Sequence, residues 1–372
     1  MISMDSINMN KNHYVVIMAG GIGSRFWPVS RTDLPKQFID VLGTGKTLIQ
    51  DTYHRFKQIV PEENIYILTN HRYVNLVREQ LGIQDESRII GEPAMRNTAP
   101  CIAYACHKLY ALNSNATVVI APSDHLIQDT HQFLLDIKQS LEVATDNEVL
   151  ITLGIKPSRP DTGYGYIQVG PEALDTAPAF KKVSAFKEKP NLKTADQYVT
   201  SGQYLWNAGI FVWNVQTILE ELETYEPRLN SVFVKGKEVY NSDGEVLFLQ
   251  QHYADCESIS IDYAIMEKSK RVYVLPVDFG WSDLGTWTSV HGLSRQDPAG
   301  NVLLPDANNV ILYNSSNCMV NVPSHKKVVL KNLHNYIVVE ANDTLLICPI
   351  DSEQEVKQVV ADAARQFGES YV

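Results

Sequence analysis

Blocks of hydrophobic and polar positions alternate along the first 154 residues of the chain. Short apolar runs predict β-strands at Tyr14–Met18, Ile65–Leu68, Thr117–Ala121 and Val149–Leu153. Between these runs, apolar residues recur at helical spacing, which predicts intervening α-helices. Strands that alternate with helices indicate a parallel sheet wrapped by helices, and such sheets bind their ligands at the carboxyl ends of the strands.

The pattern becomes less regular after Gly154 and changes again beyond about residue 296. The middle region contains one clear helix, Gln216–Tyr225. It also contains four short strand-like pieces: Gly165–Val169, Lys181–Lys187, Ile210–Trp213 and Val272–Pro276. Later, five apolar triplets between Val310 and Ile347 recur about every nine residues, which predicts short strands stacked in a small β-helix-like coil or paired as hairpins. A final amphipathic helix from Val356 to Phe367 should pack back on the body. We expect one domain over residues 1–295 and a small β-rich domain over residues 296–372.

Composition and charge narrow the class of protein. The 372 residues are 44% hydrophobic and 20% charged, which is typical of a globular protein and excludes a mainly disordered or fibrous one. The 32 Lys and Arg residues against 43 Asp and Glu residues give a net charge of −11, which argues against nucleic acid as a partner. Anionic ligands would need local basic pockets.

Cysteine usage and the N-terminal segment point to a reduced, non-membrane setting. The five cysteines show no CxxC spacing, so the sequence predicts neither a disulfide framework nor a zinc site. The segment before the first strand has no apolar signal region, and 18 uncharged apolar residues never follow one another. We expect a cytoplasmic protein without a membrane partner.

Three glycines directly follow the first predicted strand: Gly20, Gly21 and Gly23. A backbone without Cβ atoms can approach phosphate groups closely and direct N–H groups at them. Arg25 and Lys36 add positive charge nearby. The segment therefore predicts a phosphate site.

Two better-known phosphate motifs do not fit this region. A dinucleotide fingerprint that starts at Gly21 needs a glycine where Phe26 stands. The string Gly43–Thr47 resembles the end of a P-loop, but Asp40 occupies the position of the first glycine. A turn that leads into a helix near Thr47 is the favoured interpretation of that string.

The complete pattern G-G-x-G-x-R-x-x-P, followed by P-K-Q, is far more specific than a bare glycine-rich loop. In the form AGGIGSRFWPVSR and PKQF it resembles the signature of the sugar-1-phosphate nucleotidyltransferases, and among them it looks like the mannose-1-phosphate guanylyltransferases. Further blocks in the same order extend the resemblance over nearly the whole chain. The resemblance implies an α/β fold, a Rossmann-like (GT-A-like) mixed sheet flanked by helices. It also implies that Gly20, Gly21, Gly23, Arg25 and Lys36 hold the triphosphate of GTP.

The block GEPAMRNTAP precedes an apolar helix and has two interpretations. Asn97 or Thr98 can cap that helix, which is a structural role. Glu92 can accept hydrogen bonds from the N1–H and 2-amino groups of guanine, which adenine could not supply. The resemblance places the base and ribose here, so Glu92, Asn97 and Thr98 are candidate nucleotide contacts.

Two aspartates are the candidate metal ligands. Asp124 follows the strand Thr117–Ala121, and a hard cation such as Mg²⁺ prefers carboxylate oxygens at such a strand end. The resemblance pairs Asp124 with Asp283, which lies in the block FGWSDLGTW. Ser123, beside Asp124, is a further nucleotide-binding candidate.

Three more blocks supply candidates for the sugar phosphate. TGYGYI offers a glycine-rich edge and aromatic faces for a hydroxyl-rich ring, or is simply a β-turn, and FKEKP pairs an acceptor for sugar hydroxyls with a cation for the phosphate. WNAGIF resembles the sugar-binding strand of the family. Asp262 is an additional candidate, although its segment could be only a helix start capped by Ser260. The candidate residues are Gly165, Tyr166, Glu188, Lys189, Asn207 and Asp262.

These residues lead to one expected reaction, with two alternatives. The resemblance implies transfer of GMP from GTP to mannose 1-phosphate with Mg²⁺ as the cofactor, and with Arg25, Lys36 and Lys189 as the catalytic cations. The alternatives are another sugar 1-phosphate or a non-catalytic subunit that senses nucleotide sugars. The tail could stabilise the body or form a homodimer contact. We expect Lys36→Ala or Asp283→Ala to abolish turnover and to leave the fold intact.

Overall fold

The computed structural model describes residues 9–305 and 307–372. Residues 1–8, on which part of the argument about a signal region rests, lie outside the described residues. Within the described ranges, none of the helices combines the length and apolar character needed to cross a membrane.

The described residues contain 17 strands and ten α-helices, which alternate in the first part of the chain. The strands are β1 His13–Ala19, β2 Ile65–Asn70, β3 Ile89–Glu92, β4 Thr117–Pro122, β5 Leu126–Ile127, β6 Leu150–Ile155, β7 Gly165–Leu174, β8 Ala177–Glu188, β9 Tyr204–Asn214, β10 Val272–Val277, β11 Trp281–Ser282, β12 Val302–Leu304, β13 Val310–Tyr313, β14 Met319–Asn321, β15 Val328–Lys331, β16 Tyr336–Ala341 and β17 Thr344–Pro349. The helices are α1 Leu48–Phe56, α2 Val74–Leu81, α3 Thr98–Leu112, α4 Thr130–Asp146, α5 Leu192–Ser201, α6 Val215–Tyr225, α7 Pro227–Val234, α8 Glu245–His252, α9 Trp287–Leu293 and α10 Val356–Phe367.

The chain divides into two compact units, each built from separate stretches. The first unit contains the stretch that ends at Ala19 together with Tyr53–Pro122 and Ile127–Trp281. The second unit contains Gly20–Thr52, Ser123–Leu126 and Ser282–Val372. This grouping interleaves segments along the chain, whereas the predicted division at residue 295 is sequential and stays a prediction.

The first unit is built on a mixed sheet of nine strands within the described residues, in the order β3-β2-β1-β4-β9-β6-β10-β8-β7. Strands β1, β2 and β4 are parallel neighbours, as their alternation with helices predicts, and β3, which was not predicted, pairs in parallel with β2. Strand β9 runs antiparallel between β4 and β6. The fold class expected from the sequence, a mixed sheet flanked by helices, is confirmed.

Continuous apolar runs explain why the central strands lie inside the molecule. The residues Val15, Val16 and Ile17 of β1 are completely buried, because helices cover the sheet. Helix α3 is apolar on almost every side and packs into the same core, where Ile102 and Cys106 are also fully buried.

The second unit contains a coil of short strands that explains the nine-residue rhythm. Strands β12, β14 and β16 pair in parallel, and so do β13 and β15. The turns between strands repeat every 18 residues, which is twice the nine-residue spacing. The side chain of Asn314 is hydrogen-bonded to that of Asn332, and that of Asn317 to that of Asn335. All four asparagines have positive φ, which asparagine tolerates better than most residues. The final strand β17 pairs antiparallel with β16, so a coil and a hairpin both occur.

The glycine-rich segment packs against the coil inside this second unit. Phe26 and Val41 share a buried cluster with Trp287, Met319 and Ile337. As predicted, α10 packs back: its buried Val356 and Ala363 form another cluster with Trp27 and Leu346. The indole N–H of Trp27 also donates to the Tyr371 carbonyl at 2.7 Å. The C-terminal tail therefore holds the glycine-rich segment in place.

Candidate functional site

A cavity of about 320 Å³ lies in the second unit. Residues predicted to contact phosphate or metal make up most of its lining: Gly20, Gly21, Gly23, Arg25, Lys36, Asp124 and Asp283. The rest of the lining consists of Ser24, Gln37, His125, Gly285 and Lys357. All three stretches of chain that make up the second unit thus contribute to one cavity, which we call the phosphate cavity.

The glycines of this cavity have conformations that a side chain would disturb. Gly21 and Gly23 have φ values of 86° and 67°, which L side chains rarely adopt. A Cβ atom on Gly23 would lie 2.5 Å from the Cβ of Lys36. The Lys36 N–H donates to the Ile22 carbonyl at 3.3 Å, so the loop and the P-K-Q segment are joined through their backbones.

Lys36 is embedded in the cavity wall. Its ammonium group donates to the carbonyls of Asp283 at 2.9 Å and Leu284 at 3.0 Å, and forms an ion pair with Asp124 at 2.9 Å. Burial alone would raise the pKa of Asp124, but the charges of Lys36 and His125 and the Lys36 hydrogen bond hold it below its ordinary value. Removal of Lys36 would leave that carboxylate without its partner. We therefore now expect Lys36→Ala to lower the stability of the fold as well as to abolish turnover.

Arg25 presents a donor without a protein acceptor. Its Nε is buried and has no hydrogen-bond partner among the described residues. Buried donors are nearly always satisfied, so an unpaired one beside a glycine-rich loop indicates that a ligand supplies the acceptor. A phosphate oxygen is an acceptor of the required kind.

The two predicted metal ligands, Asp124 and Asp283, both line the phosphate cavity. The Gly285 N–H donates to Asp283 Oδ1 at 3.1 Å and orients that carboxylate. In residues 9–305 and 307–372 there is no cluster of three or more His, Cys, Asp or Glu side chains that could enclose a metal ion. Mg²⁺ is commonly held by one or two carboxylates together with substrate phosphates and water, so this donor set fits that ion.

The first unit brings four of the predicted sugar-site residues together. Asn207 Nδ2 donates to Asp262 Oδ1 at 2.8 Å. Asn207 Oδ1 in turn accepts from Thr152 Oγ1 at 3.2 Å and from the Gly209 N–H at 3.1 Å. The orientation of the amide is thereby fixed. Asn207, Asp262, Glu188 and Lys189 form what we call the sugar cluster.

Glu188 and Lys189 form the other side of this cluster. Lys189 Nζ bonds to Glu188 Oε1 at 2.7 Å, and this bond raises the pKa of Lys189. Gly165 lies beside them, and a Cβ there would lie 2.4 Å from Glu188 Oε2, so the Glu188 carboxylate would have to shift. The Lys189 side chain is 64% exposed and can leave Glu188 for a phosphate.

The pKa of Asp262 is raised to about 6, first by burial and then by the negative charge of Glu188. Hydrogen bonds from its own backbone and from Asn207, with the charge of Lys189, offset part of this effect. Two carboxylates close together favour ligands that donate hydrogen bonds, and sugar hydroxyls do so.

Tyr166 does not belong to this cluster, which corrects the sequence-based prediction. Its side chain is completely buried, and its hydroxyl bonds to the backbone of Asp161. The accessible aromatic group is instead Tyr164, whose ring contacts Trp206 and Trp281 at centroid distances of 5.0 and 5.3 Å. Arg159 lies over Tyr164 and Trp206. The ring of Tyr166 packs instead against that of Tyr198, with the ring centroids 5.3 Å apart.

Glu92, the candidate base contact, lies in the first unit and is hydrogen-bonded to the Tyr253 hydroxyl. Burial raises the pKa of Glu92 to about 7, although the bond from Tyr253 opposes the shift. A carboxyl group with this pKa changes charge near neutral pH. It can accept from two neighbouring N–H groups of a base only when ionised.

The other three nucleotide candidates have structural partners or lie inside the protein. Asn97 caps α3, since its Oδ1 accepts from the Thr98 N–H at 2.9 Å. Thr98 Oγ1 accepts from the Ile261 N–H at 2.9 Å. Ser123 is 1% exposed and does not line the phosphate cavity. The capping interpretation therefore holds for Asn97, and Ser123 is not among the groups brought to the cavity.

Several residues of these sites were missed from the sequence. Gln37 was visible as the last residue of P-K-Q, and Arg159 stands shortly before TGYGYI, so both had a local signal. Tyr253 and Lys357 had none, because they come from helical regions whose apolar pattern indicates only packing.

Comparisons with known proteins show what this chain is similar to. The family model described as nucleotidyl transferase matches residues 14–299. The chain is 38% identical over 352 residues to the mannose-1-phosphate guanylyltransferase of Salmonella muenchen, covering 93% of this chain and 72% of that protein. It is 36% identical to the alginate biosynthesis protein AlgA of Pseudomonas syringae, covering 94% of this chain and 72% of that protein.

A solved structure is similar over almost the whole chain. It is a Thermus thermophilus protein described as a mannose-1-phosphate geranyltransferase, with a TM-score of 0.83 and 30% sequence identity. The alignment covers 94% of this chain and 99% of that one.

Proposed function

This chain belongs to the nucleotidyl transferase family, and we propose that it transfers GMP from GTP to α-D-mannose 1-phosphate to form GDP-mannose and pyrophosphate. The observation that carries the proposal is the phosphate cavity, in which a glycine-rich loop, the cations Arg25 and Lys36 and two carboxylates from other segments line one space. Relatives named mannose-1-phosphate guanylyltransferase support the choice of substrates.

The proposed reaction needs orientation and charge more than proton transfer. A phosphate oxygen of mannose 1-phosphate forms a bond to the α-phosphorus of GTP, and the bond to the β-phosphate bridging oxygen breaks. Pyrophosphate leaves with the electron pair. The nucleophile is already an anion, so no general base is required. Arg25 Nε, buried without a protein acceptor in the described part of the chain, donates to the departing phosphates.

Nucleotidyl transferases generally use a divalent metal ion, and we propose Mg²⁺ on Asp124 and Asp283. When bound, it neutralises charge on the phosphates as the transition state forms. Lys36 has a second role, because it holds Asp124 and the backbone of Asp283 in fixed positions.

The sugar cluster is proposed to bind mannose 1-phosphate. Asn207 and Asp262 bind hydroxyl groups through a donor and an acceptor that already face each other at 2.8 Å. Lys189 exchanges Glu188 for the phosphate of the substrate. Ionised Glu92 accepts from guanine, which would distinguish GTP from ATP.

The tail has a proposed second use as a homodimer contact. Ile311, Tyr313 and Val329 are more than half exposed on neighbouring strands β13 and β15. Exposed apolar residues that adjoin one another are typical of interaction surfaces.

A substrate panel tests the function directly. Pyrophosphate release is measured for GTP, ATP, UTP and dTTP, each with mannose, glucose or fucose 1-phosphate. We expect kcat/KM for GTP with mannose 1-phosphate to exceed that of every other pair by at least about tenfold, because a missing hydrogen-bond partner costs on the order of 1–3 kcal/mol. Chelation should stop turnover and added Mg²⁺ should restore it.

Each alternative has its own outcome in this panel. Equal use of UTP contradicts the guanine assignment, and equal use of glucose 1-phosphate indicates a different sugar. Tight binding of GDP-mannose without turnover of any pair would identify a sensing subunit.

A further inference from the structure

A lysine from the C-terminal helix lines the phosphate cavity. Lys357 is the second residue of α10 and shares the cavity lining with Gly21, Arg25 and Lys36. The apolar periodicity of α10 indicates only a packing role for this helix. Its position at the cavity gives the tail a chemical group beside the residues proposed to hold the triphosphate.

Neighbouring buried residues fix the position of Lys357. Val356, which precedes it, is 1% exposed and shares a cluster with Trp27 and Leu346. Helix α10 also packs against the turn Ser24–Phe26, which carries Arg25. The backbone at Lys357 is therefore held beside the glycine-rich loop, and its long side chain needs no large movement of the helix to reach a ligand there.

The two lysines of the cavity differ in what they bind. An ammonium group has three donors, and those of Lys36 are directed to Asp124 and to the carbonyls of Asp283 and Leu284. Lys357 is exposed and forms neither a hydrogen bond nor an ion pair within residues 9–305 and 307–372. No carboxylate in those ranges neutralises its charge. A triphosphate would supply the opposite charge.

We propose that Lys357 binds the β- and γ-phosphates of the nucleoside triphosphate and the pyrophosphate that forms from them. The proposal rests on the assignment of this cavity to a triphosphate, and it adds a binding group from the tail to that site. Lys36 positions the Asp124 carboxylate and the backbone of Asp283, Arg25 donates to phosphate, and Lys357 supplies charge that no described residue neutralises.

The test uses Lys357→Gln in the full chain. The dissociation constants of GTP and of pyrophosphate, each with Mg²⁺, are measured by calorimetry, and steady-state constants are measured alongside. We expect both ligands to bind about five- to twentyfold more weakly, as the loss of one partly exposed charged hydrogen bond implies. KM for GTP should rise by a similar factor, whereas kcat and KM for mannose 1-phosphate should change less than about twofold.

Two matched variants separate this role from packing and from general charge. Arg365→Gln removes one positive charge from the same helix at a residue that does not line the cavity, so both affinities should stay at the wild-type value. Lys357→Arg keeps the charge and should retain most of the affinity. Thermal unfolding of all three variants should match the wild type.

The outcomes distinguish this proposal from the proposed function. If Lys357→Gln and Arg365→Gln bind pyrophosphate equally well, the role of Lys357 is refuted, whatever the substrates are. If the wild type binds GTP and pyrophosphate but does not transfer GMP to mannose 1-phosphate, the proposed function fails, and the binding comparison still decides Lys357. If the wild type binds neither ligand, both proposals fall.

Discussion

The phosphate cavity and the sugar cluster handle buried charge in opposite ways. In the cavity, Lys36 and Asp124 are paired at 2.9 Å, and the pKa of Asp124 is lowered. In the cluster, Asp262 lies near Glu188, and its pKa is raised to about 6. The first arrangement is stabilised within the protein itself, whereas the second leaves acceptors that a hydroxyl-rich ligand would satisfy.

This difference predicts opposite effects of substitution on stability. When one partner of the Lys36–Asp124 pair is replaced, the charge of the other partner stays in the cavity without its counterion, and the protein becomes less stable. A carboxylate of the cluster that is neutralised relieves repulsion and desolvation, which gains stability at the expense of binding. Three substitutions test the contrast.

Lys36→Met should have the largest effect. We expect kcat/KM to fall by about 1,000-fold or more, because Asp124 and the backbone at Asp283 lose the group that positions them. The free energy of unfolding should fall by about 2 kcal/mol, less than the roughly 3–5 kcal/mol of a fully buried pair, because 24% of the Asp124 side chain is exposed. Steady-state kinetics and urea unfolding measure the two quantities.

The double variant Lys36→Met/Asp124→Asn is the control for this prediction. It should recover most of the lost stability, since no unpaired carboxylate remains, but none of the activity. Activity of Lys36→Met within tenfold of the wild type would remove this lysine from the mechanism. Unchanged stability would show that the ion pair contributes little to the cavity.

Asn207→Asp should have the next largest effect. The substitution replaces the donor to Asp262 with a third negative group, so KM for mannose 1-phosphate should rise by about 10- to 100-fold, with a smaller change in KM for GTP. Asn214→Asp is the matched control on the same strand, because its side chain caps α6 as an acceptor and aspartate can do the same. A rise in KM for GTP alone would contradict the proposal that Asn207 binds mannose 1-phosphate.

Asp262→Asn should have the smallest effect and the opposite sign for stability. Because the pKa of Asp262 is about 6 in the folded protein, above its ordinary 3.8, ionisation is penalised in the folded state. The variant should gain about 2 kcal/mol of unfolding free energy above pH 6, and the gain should shrink as the pH falls from 6 toward 4.

Binding by this variant should worsen while its stability improves. We expect KM for mannose 1-phosphate to rise about tenfold at pH 8, since an amide is a weaker acceptor than a carboxylate. A variant that is less stable than the wild type at pH 8 would contradict the view that like charges are crowded in the sugar cluster.

Local sequence patterns were sufficient for the parts of the fold that depend on neighbouring residues. Strands β1, β2 and β4 are continuous apolar runs, so their positions were predicted to within two residues. The insertion of β9 between β4 and β6 could not be predicted, because it depends on pairing between distant segments. The coil was recognisable because its short strands and turns repeat. The final strand β17 has the same apolar pattern as the strands of the coil, so its antiparallel pairing with β16 could not be predicted.

The candidate site likewise has parts that local sequence patterns predict and parts that only the folded structure brings together. Gly21, Gly23 and Arg25 belong to one continuous segment, so the sequence could group them in one predicted phosphate site. The Lys36–Asp124 pair joins residues far apart in the chain, and no local pattern shows that Lys36 is buried. Tyr166 was misassigned because an aromatic side chain in a glycine-rich block looks alike whether it faces inward or outward.

The interleaved second unit also constrains when the cavity can form during synthesis. Lys36 donates to the carbonyl of Asp283, 247 residues later, and Phe26 packs against Trp287. A nascent chain grows from its N-terminus, so the glycine-rich loop leaves the ribosome long before its packing partners exist. The sheet strands β1 to β4 can associate early, whereas the phosphate cavity is completed only when the last segment has emerged. Under the proposed function, the nucleotide that this cavity binds therefore cannot assist the early stages of folding.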